Sequence, residues 1–169
     1  MILLTPELYC RSQLTDIGIG ANIDAFAQLD FNLSRRTGIL INEVIGEIGL
    51  LAQVAVGAGQ ILQQLDLDPD NEVVEMPANT VITDSSRPFS QMMQYQVATT
   101  EVTTHASLLQ VKWRAMQMHE RPISITNLVH EVQGGWGTRT DTFTAVLSIY
   151  YQIVELTLAE LGMLNASRR

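Results

Sequence analysis

A chain of 169 residues is about the length of one domain and can bury a core without disulfide or metal staples. Hydrophobic residues make up 46% and charged ones 17%, and the formal net charge is −8. This composition is globular, and its field repels nucleic acid over most of the surface.

The stretch from Met1 to Arg11 holds a four-residue apolar run with no basic residue ahead of it. That is too short for the apolar heart of a secretion signal, and it predicts synthesis and folding in the cytoplasm. Cys10 is the single cysteine, so no disulfide can close within the chain, and the residue is expected to be a small buried hydrophobe.

From Ala25 to Ser34, Ala27, Leu29, Phe31 and Leu33 alternate with Gln28, Asp30, Asn32 and Ser34. A period of two predicts a half-buried strand with Leu29, Phe31 and Leu33 in the core. Ser34 to Gly38 breaks the pattern, and Ile39 to Leu51 resumes as an isoleucine-rich run, so two strands joined by a short loop are expected. Residues 48–65 read as strand and turn rather than helix, because Gly49, Gly57 and Gly59 would each cost a helix about 1 kcal/mol relative to alanine. Gln53, Gln60, Gln63 and Gln64, with Glu43 and Glu47 just upstream, argue against a membrane span.

Proline and turn residues in Asp66 to Asn71 and Pro77 to Pro88 make 66–90 a loop-rich connection. Met92 to Met118 is dominated by Thr, Val, Gln and Met, which favours extended backbone. In Thr142 to Leu158, Phe143, Ala145, Leu147, Ile149 and Tyr151 share one face, and the apolar set then becomes Val154, Leu156 and Leu158. A bulge near Gln152 and Ile153 would produce that change of phase. Thr157 and Glu160 have capping-box spacing, which predicts a short helical turn. The sum is an all-β chain, a single β-sandwich domain of the jelly-roll type over residues 1–169.

Few residues carry chemistry. Asp66, Asp68 and Asp70 stand at the first, third and fifth positions of a calcium loop, but Asn71 replaces the turn glycine and Pro77 the final glutamate; weak or absent calcium binding follows. His105, His119 and His130 are not at metal-ligand spacing, although three-dimensional convergence stays open. No G-x-S-x-G elbow occurs, and Gly134 to Gly137 lacks the lysine of a phosphate loop. That turn instead offers Trp136 as an aromatic contact between subunits. Met92, Met93, Met116 and Met118 read as core or interface filling. The expectation is a protein without enzymatic activity or cofactor.

Of ten basic residues only Lys112 is a lysine, and the arginines pair only at Arg35–Arg36 and Arg168–Arg169. Two such pairs neutralise few phosphates, so little direct nucleic-acid binding is expected. With Trp136, the four arginines Arg35, Arg36, Arg168 and Arg169 are the candidate interface residues.

The segment Leu29 to Ile39, the segment Leu65 to Asp70 and the end Ile149 to Thr157 together resemble jelly-roll capsid proteins of bacterial and archaeal viruses. The resemblance implies a virion structural protein, capsid or capsid-associated, made in the host cytoplasm and partnered by copies of itself and other virion proteins. It transfers no catalytic or binding residue. A β-sandwich that binds a small molecule or carbohydrate is the alternative, and an enzyme using the three histidines is a third reading.

Overall fold

The computed structural model describes residues 1–18, 23–50, 57–67, 89–97, 107–115, 121–135 and 142–167. Ten strands precede one helix: β1 (Ile2–Leu3), β2 (Leu8–Gly18), β3 (Ile23–Leu29), β4 (Thr37–Leu50), β5 (Gly57–Asp66), β6 (Phe89–Val97), β7 (Ser107–Arg114), β8 (Ile123–Ser124), β9 (Leu128–Gly135), β10 (Thr142–Glu155) and α1 (Leu158–Ser167).

Two antiparallel sheets result. In the first, β10 and β4 lie side by side at the centre, with β1 and β2 along the free side of β10, and β7 and β8 along the free side of β4. The second has the order β3-β9-β5-β6. Apart from β5 and β6, the successive long strands lie in different sheets or pair with distant partners, so the chain passes back and forth across the sandwich. Two interlocked four-row sheets connected in this way are a jelly roll.

The core forms where the inward rows meet. Ile39, Ile41, Val44, Leu65, Phe89, Leu128, Leu147 and Ile149 make one buried cluster, and Ile48, Ile61, Val132, Phe143 and Ala145 make a second. Residues 48–65 contribute the end of β4 and the whole of β5 up to Leu65, as strand; 51–56 lie outside the described residues. Of the loop-rich 66–90, residues 68–88 also lie outside, Asp68 and Asp70 among them, and within Met92 to Met118 so do 98–106 and 116–118.

Three expectations need correction. The strand predicted over Ala25 to Ser34 stops at Leu29, and β3 does not pair with β4 but with β9 in the other sheet. Asn32 adopts φ 48°, a left-handed conformation that a strand cannot continue through. Phe31 and Leu33 still pack on the main core, half-buried, from the loop beyond the strand.

The bulge, second, belongs to β4. Tyr150 pairs with Glu43 and Tyr151 with Ile41, so Asn42 is the extra residue. The inward set of β4 accordingly changes from Val44, Gly46 and Ile48 to Ile41 and Ile39. Asn42 is held there by its own side chain, which donates to Glu7 Oε2 (2.8 Å) and accepts from Arg121 Nη1 (3.0 Å).

β10 keeps its alternation against β4 throughout. Its apolar set changes because a third cluster, Leu40, Val154 and Leu156, forms on the opposite face of the sheet under Ile123, Ile125, Leu161 and Leu164.

Third, the predicted helical turn is a ten-residue helix, α1. Its start is a reciprocal capping box: Thr157 N donates to Glu160 Oε2 (2.8 Å), and Glu160 N donates to Thr157 Oγ1 (3.3 Å). Leu161 and Leu164 supply the apolar stripe that seats the helix on the third cluster.

Gly46 is required by a close approach. A Cβ at this position would lie 2.5 Å from Phe89 Cζ, 2.6 Å from Gln91 Nε2 and 2.7 Å from Gln63 Oε1. Gly46→Ala is expected to cost about 1–3 kcal/mol through overpacking. An unchanged urea midpoint would show that these three side chains can step aside.

Candidate functional site

Two places bring unusual residues together. One is the end of the sandwich where β1 and α1 meet. Among the described residues, six of the eight large hydrophobic side chains left exposed lie there: Met1, Ile2, Leu3 and Leu4, and Leu158 and Met163 on the helix, the last two 70% exposed.

β1 reaches this end by pairing Ile2 with Glu155 and Leu3 with Val154, and Leu4 N extends the ladder to Ile153 O (2.8 Å). The amino group of Met1 then donates to Glu160 Oε1 (2.9 Å), tying the strand to the first turn of the helix. Hydrogen bonds from the Thr157 backbone, then from the amino group and the Thr157 side chain, pull the Glu160 carboxyl down to about 2, so the clamp stays ionised in all but strong acid.

Arg35 and Arg36 lie at the same end. They form the exposed turn before β4, and Arg36 O accepts from Leu156 N (2.8 Å). The structure therefore gathers two of the five candidate interface residues beside the exposed apolar surface. Trp136, Arg168 and Arg169 lie outside the described residues. Sequence reasoning missed Ile2, Leu3, Leu158 and Met163, because exposure of an apolar residue leaves no trace in an alternating pattern.

The other place is a polar chain between the sheets. Gln63 spends one Nε2 proton on Val146 O (2.8 Å) and the other on His130 Nε2 (2.9 Å). His130 must then accept at Nε2 and carry its proton on Nδ1, which donates to Ser12 Oγ (2.9 Å). Gln91 Nε2 donates to Gln63 Oε1. Ser12 is on β2 and Val146 on β10 of the first sheet, whereas His130, Gln63 and Gln91 belong to the second, so the chain bolts the two layers together.

His130 is fully buried, and that burial lowers its pKa to about 4. The other two histidines, His105 and His119, lie outside the described residues. No group of three or more His, Cys, Asp or Glu able to hold a metal occurs among the described residues.

Cys10 is half-buried against the main core rather than fully enclosed, and burial raises its thiol to about 11. Lys112, the lone lysine, lies 2.6 Å from Glu43 Oε1, and Arg114 Nε lies 3.6 Å from Glu43 Oε2, so both side chains are engaged on the outer face of the first sheet. Among the described residues, no helix is long and apolar enough to cross a membrane.

No protein-family model matches this sequence, and no curated protein matches it. Among solved structures the chain is similar to one titled Desmodium yellow mottle tymovirus, at 9% identity and a TM-score of 0.34, with 90% of this chain and 91% of that chain covered. That neighbour comes from a tymovirus, not from a virus of bacteria or archaea.

Proposed function

We propose that the protein is a virion structural subunit, a capsid or capsid-associated protein that assembles with copies of itself and with other virion proteins. The observation that carries this reading is the concentration of exposed apolar side chains at one end of a jelly roll, with the exposed Arg35–Arg36 turn beside them. A surface with an apolar centre and a charged rim has the anatomy of a protein interface.

A second copy is the occupant that the charge distribution favours. The chain as a whole carries −8, so a basic turn at one end complements the acidic body of a neighbour, and head-to-tail contacts of that kind build closed rings or shells. The outer side of β1 and β2, which is unpaired among the described residues, adds backbone donors and acceptors along the same border.

Light scattering after size exclusion tests the reading, together with electron microscopy of the eluted material. The wild-type protein is expected to form a specific oligomer or larger array burying about 1,200–2,000 Å² per contact. The double variant Leu158→Glu, Met163→Glu is expected to shift it to smaller species with an unchanged melting temperature, since both side chains are 70% exposed. A wild-type protein that stays monomeric at high concentration and at several salt strengths would sink the proposal in favour of the ligand-binding alternative.

A further inference from the structure

Beside the jelly-roll end described above lies an open cleft of about 570 Å³, within the size of small-molecule sites. Its walls come from two distant segments, Gln28 to Leu33 and Ile125 to Asn127. From its chemistry we infer that this cleft binds a neutral polyhydroxylated ligand, a sugar ring of a glycan, with Asp30 as the central acceptor.

The carboxylate is held in place before any ligand arrives. Gln28 Nε2 (2.7 Å) and Asn127 Nδ2 (2.6 Å) both donate to Asp30 Oδ1. Asn127 is fixed in turn, because its Oδ1 accepts from Phe31 N (3.3 Å). Phe31 anchors the loop by packing edge-on against Tyr151, with ring centroids 5.0 Å apart. Both amide donors go to Oδ1, which leaves Oδ2 to accept hydrogen bonds from a ligand.

Each class of ligand meets a different answer from this lining. Among the described residues no Lys or Arg lines the cleft, so an anion would face the Asp30 charge. A calcium ion needs six or more oxygens, whereas among the described residues the lining offers one carboxylate, whose Oδ1 is already surrounded by amide N–H groups. Hydroxyl groups both donate and accept, and so match a carboxylate next to the side-chain amides of Gln28, Asn32 and Asn127. The C–H face of a pyranose has apolar area to cover, and Leu33 and Ile125 supply it.

The inference goes beyond the structural role and does not depend on it. It is tested on the full chain by saturation-transfer NMR and calorimetry, with the methyl glycosides of glucose, galactose, mannose and N-acetylglucosamine as probes. At least one glycoside is expected to bind with millimolar affinity. Asp30→Asn is expected to weaken that binding about tenfold or more, the loss of a charge-assisted hydrogen bond. Gln28→Ala, at an exposed position, is expected to weaken it as well, and serves in place of Asp30→Asn should that variant not fold. Absence of binding to all four glycosides would overturn the inference, as would equal binding by folded variants. Calcium binding at Asp30 without any glycoside binding would also overturn it and make the cleft a cation site.

Discussion

Phe143→Ala is expected to cost about 3–5 kcal/mol, the upper range for loss of a buried aromatic ring. Phe143 is fully enclosed, at 0% exposure, between Ile48 of β4, Ile61 of β5 and Val132 of β9. It thus contacts both sheets at once. Phe143 is flanked by Leu50 on β4 and by Ile17 on β2, the β2 register shifting by one residue just beyond, and with a strand on each side the cavity can collapse little when the ring is removed.

Phe31→Ala offers the comparison. Full burial of Phe31 would have given the same large loss, but its ring is half-buried and sits on a loop. A smaller cost, about 1.5–3 kcal/mol, follows from the apolar area it covers. Urea midpoints of the two variants check the order, and equal losses would show that the loop at Phe31 is as rigid as the strand at Phe143.

The second large effect is a loss of stability in acid. The folded protein holds His130 neutral with its pKa lowered to about 4, against 6.5 for the free side chain. Between those values the unfolded chain binds a proton that the folded protein refuses, so stability falls as pH drops from 6.5 to 4 and is fully retained above 6.5. The span corresponds to about 3 kcal/mol.

Geometry explains the refusal. Protonation at Nε2 would set an N–H against Gln63 Nε2, and Gln63 cannot turn its oxygen to the ring without setting that oxygen's partner nitrogen away from Val146 O. The ring is also shut off from water. The hydrogen-bonding groups around it are Ser12 and Gln63, neither of them charged.

Carboxylates titrate in the same range, so the measurement is the difference between wild type and His130→Gln at pH 7, 5.5 and 4.5. Wild type is expected to be the more stable at pH 7 and to lose that advantage as the pH falls. A difference that stays constant across the three values would remove His130 as the acid-labile group. In a protein whose two sheets are joined through this histidine, acid would loosen the sandwich from within.

The sequence by itself determined the class of fold, because alternation needs only local chemistry. Ile39 to Leu51 could be placed in a strand, and Thr157 with Glu160 marked the helix start, from residues a few positions apart. Alternation says that one face of a strand is covered, but not by what. The change of phase in β10 therefore suggested a bulge, when its cause was a helix packing Leu161 and Leu164 over Val154 and Leu156 on the far side of the sheet.

The polar sites were further out of reach. His130 meets Ser12 across 118 positions, and Phe31 meets Asn127 across 96. Hydrogen bonds between such distant groups exist only once the strands have been assigned to their sheets and registers. In the sequence the glutamines of β5 argue only against a membrane span, and only the opposing sheet, with Gly46 leaving room, decided that Gln63 would be fully buried. The exposed end was likewise decided by tertiary structure, since Ile2 and Met163 are as apolar as any core residue and remain uncovered only because no described element passes over them.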